Sequence, residues 1–90
     1  MMDGESRDSL VKILFFAKAR ELSGLKESRA KLPANISYQS LLDTIIEKFG
    51  LESIRDSVIL SLNEEYLAAN GTLNLSDQDE IAVIPPLSGG

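Results

Sequence analysis

One stretch carries a clear helical period, and it constrains the fold more than any other feature of the chain. Leu41, Leu42, Ile45, Ile46 and Phe49 fall at i, i+1, i+4, i+5 and i+8, a single apolar stripe of a 3.6-residue repeat. Ser37 stands where an N-cap belongs, Ile36 and Leu41 are spaced as a hydrophobic staple, and Gly50 is placed to end the helix. The spacing predicts a helix over 38–49. One stripe needs one apolar surface to bury against, and the other apolar runs in the chain have strand character.

Leu10 to Ala17 is rich in β-branched and aromatic residues and reads as a strand. Val11, Ile13 and Phe15 share one face, Leu14 and Phe16 the other, with Lys12 the only polar member. A sheet with one wet face should alternate apolar with polar, so the second face of this strand is expected to meet something apolar. Ala17 to Leu22 reads as a short helical turn stopped near Ser23-Gly24. Glu27 to Leu32 reads as an edge strand ending at Pro33, its charges resisting mispairing. Val58 to Leu62 is a strand, Asn63-Glu64-Glu65 its turn and Tyr66 to Ala68 a brief return, with Tyr66 expected to be partly buried. Asn70-Gly71 and Ser76 to Asp79 are turns, and Glu80 to Ile84 is the last strand, closed by Pro85-Pro86, which lack backbone donors. The pattern is α+β, one main helix over one sheet; it leaves strand order open.

Ninety residues make one domain, too small to enclose a substrate cavity of its own with ease. The chain has no Cys and no His, which excludes thiol nucleophiles, imidazole bases, disulfides and the usual zinc sites. Asp77, Asp79 and Glu80 lack the ligand count and spacing of a calcium loop and read as a turn and strand start; no metal is expected. Net charge is −5, which disfavours nucleic acid and suits a basic partner. Residues 1–9 are polar, lack the features of a secretory signal and read as a disordered lead-in, and no apolar run reaches the roughly 20 residues that span a bilayer. The expected compartment is the cytosol, with no membrane partner.

The chemistry falls to the end of the chain. Leu87-Ser88-Gly89-Gly90 leaves an apolar strand through a stiff Pro-Pro, giving a fixed root and a thin tip. Taken alone, Gly-Gly fits a frayed end better than a working one, and it is the fixed root that favours the working reading. Glycine has no Cβ, so such a tip can enter a slot too narrow for other residues. The group it delivers is an α-carboxylate, a poor electrophile until adenylated; a sulfur nucleophile could then leave a thiocarboxylate on Gly90.

Leu14-Phe15-Phe16-Ala17-Lys18-Ala19-Arg20-Glu21-Leu22-Ser23-Gly24 and Asp79-Glu80-Ile81-Ala82-Val83-Ile84-Pro85-Pro86-Leu87-Ser88-Gly89-Gly90 resemble the molybdopterin synthase small-subunit family, over about Val11 to Gly90. The resemblance implies a ubiquitin-like β-grasp at 10–86, a mixed sheet of four to five strands on one helix, and a flexible tail at 87–90. It further implies that a relative of the ubiquitin-activating enzymes uses ATP to adenylate Gly90, which is then thiocarboxylated. No tightly bound cofactor is implied. Leu87, Ser88 and Gly89 would enter the large subunit, where sulfur passes to precursor Z (cyclic pyranopterin monophosphate) to build the dithiolene. The family enzyme is a heterotetramer of two small and two large subunits, so this chain would not be catalytic alone. It departs from the family at Gln78, where Gly is common, which bears on the turn type there.

In a β-grasp the first and last strands are neighbours, so Leu14, Phe16, Ala82 and Ile84 would form an apolar patch opposite the helix. It is read as a partner interface with Pro85, Pro86 and Arg20, in preference to a patch covered by a loop or by the root of the tail. For Arg20 and Glu21 a solvated turn with local ion pairing fits equally well. Lys12 and Lys18 read as surface charges. Other functions remain open: a ubiquitin-like modifier or tRNA-thiolation carrier, a thiazole-synthesis sulfur carrier, or a binding module with an inert tail.

Overall fold

The helix forms where its stripe places it. In the computed structural model, which describes residues 8–85, α2 spans Tyr38–Phe49, and the Ser37 side chain accepts a hydrogen bond from the Ser40 amide at 3.1 Å. Gly50, at φ 69°, closes it in the left-handed conformation that glycine reaches without strain. Leu41, Leu42, Ile45 and Ile46 are buried.

The surface that receives them is a five-stranded sheet in the order β2-β1-β7-β4-β5, made of β1 (Asp8–Phe15), β2 (Glu27–Pro33), β4 (Ile59–Leu62), β5 (Glu65–Tyr66) and β7 (Glu80–Ile84). β7 lies between β1, which it pairs in parallel, and β4, which it pairs antiparallel. Val11, Ile13 and Phe15 of β1 join Ile81 and Val83 of β7 and Leu60 of β4 under the helix, all 2% exposed or less. Phe15 meets Phe49 edge-on, ring centroids 4.8 Å apart. Each of these larger side chains contributes about 1.5–3 kcal/mol of burial. As expected, β2 is an edge strand and the first and last strands are neighbours.

Two features depart from the expectation. β1 begins at Asp8 and so takes in the last two residues of the segment read as a lead-in. Its start is pinned by the turn before β7: the Ser9 hydroxyl donates to the Leu75 carbonyl at 3.1 Å, and the Leu10 amide donates to Asp77 Oδ1 at 2.9 Å. The remaining residues of that lead-in, 1–7, lie outside the described residues. Second, Asn35–Ser37 (β3) and Thr72–Asn74 (β6) form a separate antiparallel pair with Ile36 opposite Leu73. The short turn that the sequence suggests at Ser53 to Asp56 is present as a 3-10 turn, Glu52–Ile54, after α2. The helical turn after β1 is α1 (Ala17–Ser23), reached through Ala17 at φ 49° and ended by Gly24 at φ 75°.

Candidate functional site

The strand that carries the tail is held on both sides. Val83 O accepts from the Phe16 amide at 3.4 Å, Ile84 stands opposite Ile59, and Pro85 is buried just beyond. The tail therefore starts from the middle of the sheet rather than a loose edge. Pro86, Leu87, Ser88, Gly89 and Gly90, the residues expected to carry and deliver the chemistry, lie outside the described residues.

Beside this root, the sheet face opposite α2 is apolar, as the failed alternation of β1 implied. Leu14, Ala82 and Ile84 are half-buried there and Phe16 is 44% exposed. Register explains the grouping: Leu14 pairs with Ala82, Ala82 with Ser61, and Ser61 with Tyr66, one row across four strands. All four expected patch residues line a shallow groove of about 260 Å³, joined by Ser61, Glu64, Tyr66 and Glu80. Ile59, 46% exposed opposite Ile84, widens the apolar face.

Arg20 is exposed on α1, one turn beyond Phe16, and does not line the groove. Its neighbour Glu21 pairs locally with Lys18 at 3.7 Å, and both side chains are more than half exposed, so the pair adds little. Lys12 lies beside Glu80 at 3.9 Å.

Tyr66 is a correction. It is 73% exposed rather than partly buried, because β5 is a two-residue edge strand and, among the described residues, no strand lies beyond it. The hairpin it belongs to was missed as part of the site. Its signal was present: period two puts Ile59 and Ser61 on the face opposite Leu60, and a short return strand must follow them. The loop of that hairpin is Asn63-Glu64, at φ 50° and 74°, the positive values of a type I′ turn.

The acidic residues before β7 are occupied with structure. Asp79 Oδ1 accepts from Asn63 Nδ2 at 3.0 Å and Oδ2 from the Ser76 amide at 2.9 Å. These bonds, Asn63 first, hold the Asp79 carboxyl below its ordinary value of 3.8. Asp77 caps the start of β1 as described. Among the described residues no group of three metal-ligating side chains comes together. Gln78 is not among the described residues with positive φ, so the turn there has no need of the glycine common in the resembled family.

The family model of the ThiS family matches residues 13–90. A relative from Drosophila melanogaster called molybdopterin synthase sulfur carrier subunit is 49% identical over 86 residues, covering 89% of this chain and 90% of the relative. One of the same name from Arabidopsis thaliana is 43% identical over 81 residues, covering 89% and 82%. Among solved structures, SAMP1 from Haloferax volcanii superposes with a TM-score of 0.72 at 22% identity, covering 91% of this chain and all of that one. The chain of a complex of subunits 1 and 2 of molybdopterin-converting factor from Helicobacter pylori gives 0.64 at 23%, covering 90% and 99%. A Caldiarchaeum subterraneum ubiquitin is also similar, TM-score 0.65 at 16% identity, and the shared fold is the ubiquitin-like β-grasp.

Proposed function

The chain belongs to the ThiS family, among its molybdopterin synthase sulfur carrier subunits, and from that premise we propose that Gly90 carries the sulfur as a C-terminal thiocarboxylate. The carboxylate attacks the α-phosphorus of ATP on an activating enzyme of the ubiquitin-activating type, forming an acyl-adenylate and releasing pyrophosphate. A sulfur nucleophile then displaces AMP, and one carboxyl oxygen is replaced by sulfur. The tail, Leu87 to Gly90, enters a large synthase subunit, where the sulfur passes to precursor Z; two such transfers supply the dithiolene.

The observation that carries this reading is the root of the tail: β7 is paired on both sides up to Val83 and with β4 through Ile84, with Pro85 buried, beside an apolar face. A tip delivered into another protein needs a root that does not give, and contiguous apolar surface marks a docking face. The sequence, without Cys or His, offers the transferable sulfur no other seat. We assign Leu14, Phe16, Ala82 and Ile84 to the face that meets the large subunit, in an assembly of two small and two large subunits. The pocket and the acid–base groups belong to the large subunit, so the isolated chain catalyses nothing and binds no cofactor tightly. No helix among the described residues is long and apolar enough to cross a membrane; we place the reaction in the cytosol.

Intact mass tests the proposal. Incubation with ATP, a sulfur source and the activating enzyme should add about 16 Da, the exchange of oxygen for sulfur. The gain should vanish when Gly90 is deleted and reverse when the large subunit and precursor Z are added. No gain, under conditions where a known carrier gains it, would overturn the thiocarboxylate.

A further inference from the structure

We propose that the β4–β5 hairpin is a seat for an arginine of the docking partner, its guanidinium lying against the Tyr66 ring and pairing with the Glu64 carboxylate at the rim of the apolar groove. This rests on the docking reading above and adds the chemistry of one contact to it.

Glu64 and Tyr66 line the same groove as Leu14, Phe16, Ala82 and Ile84, so whatever covers the apolar floor must pass the hairpin. Both residues stand where folding alone would not put them. Tyr66 leaves 73% of its surface in water, while Ser61, opposite it on β4, is only 3% exposed. Among the described residues, Tyr66 is not one of the side chains packed against the hydrophobic core. Glu64 occupies the second position of a type I′ turn at φ 74°, where glycine fits without strain and a side chain costs stability.

The strained turn is also clamped. Asn63 donates from its backbone amide to the Glu80 carbonyl at 2.8 Å and from Nδ2 to Asp79 Oδ1 at 3.0 Å. Its Oδ1 accepts from the Glu80 amide at 2.9 Å. The hairpin is thereby fixed to the start of β7 before any partner arrives, which lowers the ordering cost of binding. The second carboxylate of the groove, Glu80, is shared with Lys12 at 3.9 Å.

An aromatic face and a carboxylate on one rim select a cation, and among cations they select a guanidinium. Its plane stacks on a ring while its edge pairs with a carboxylate, and it sheds water more readily than an ammonium. The net charge of −5 favours the same partner.

The test is calorimetric binding of the full chain to the large synthase subunit at low and high salt, with each variant's unfolding midpoint measured alongside. Glu64→Gly should raise the midpoint by about 3 °C by releasing the strained φ, yet weaken binding about tenfold and flatten its salt dependence. Tyr66→Ala should weaken binding about tenfold and Tyr66→Phe leave it unchanged. Phe16→Asp, which bears on the docking face itself, should abolish binding. If Glu64→Gly and Tyr66→Ala bind within about twofold of the parent while Phe16→Asp does not bind, the arginine seat is wrong and the docking face stands. Undiminished binding by Phe16→Asp overturns both. A Glu64→Gly that loses stability and binding together makes the residue structural and also overturns the seat.

Discussion

Asp79 shows how one side chain ties the molecule's stability to pH. Hydrogen bonds from Asn63 and Ser76 lower its folded pKa below the ordinary 3.8, so its contribution is present above that value and is lost as pH falls through the lower, folded one. Asp79→Asn should therefore flatten the acid limb of a plot of urea midpoint against pH below about pH 4, with little change in slope near neutrality. Ser9 is a second such point. Its buried hydroxyl bonds the Leu75 carbonyl, and Ser9→Ala should cost about 1 kcal/mol in denaturant unfolding by leaving that acceptor unpaired. Neither contact was legible in the sequence. Ser9 read as part of a polar lead-in, and only a turn 66 positions away gives it a role. The exposure of Tyr66 was hidden for the same kind of reason: whether a strand residue is covered depends on whether another strand lies beyond it.

Among the elements, α2 was the most legible, because every signal that makes it is local: the stripe, the Ser37 cap, the Gly50 stop. Those signals are separately testable. Ser37→Ala should lower stability by about 1 kcal/mol through the lost cap. Gly50→Ala should cost a similar amount through its φ of 69°, not through crowding, since nothing lies within 4 Å of an added Cβ. Thermal unfolding of the two variants and their double mutant should give additive losses, the sites being at opposite ends of the helix. β3 and β6 could not be read this way. Each is three residues long, shorter than any window in which period two can be counted, and each exists because Ile36 meets Leu73 across the chain. The apolar character of the outer face of β1 was legible for the opposite reason, since an apolar residue on the wrong side of an alternation announces a second apolar surface.

At the scale of the whole molecule, the site was legible where it is sequence and hidden where it is shape. Gly-Gly after Pro-Pro can be read directly; the hairpin that rims the groove needed the sheet to close before it had a place. The tail is also a ruler. Residues 86–90 extend at most about 17 Å beyond Pro85. Two residues inserted between Pro86 and Leu87 should leave binding to the large subunit unchanged. If Gly90 carries the sulfur as proposed, they should slow single-turnover sulfur transfer to precursor Z by about a hundredfold or more, because the reacting atom would overshoot its seat. The central place of β7 has a further consequence, one of timing. β7 is made near the end of the chain, yet it is the strand that joins β1 to β4. On a growing chain the two halves of the sheet wait for one another until residue 84 has emerged, and most of their contacts span long stretches of sequence. On the proposed thiocarboxylate reading, the strand that roots Gly90 joins the sheet only once nearly all of these residues are made, so a chain halted before β7 offers an activating enzyme no anchored tip.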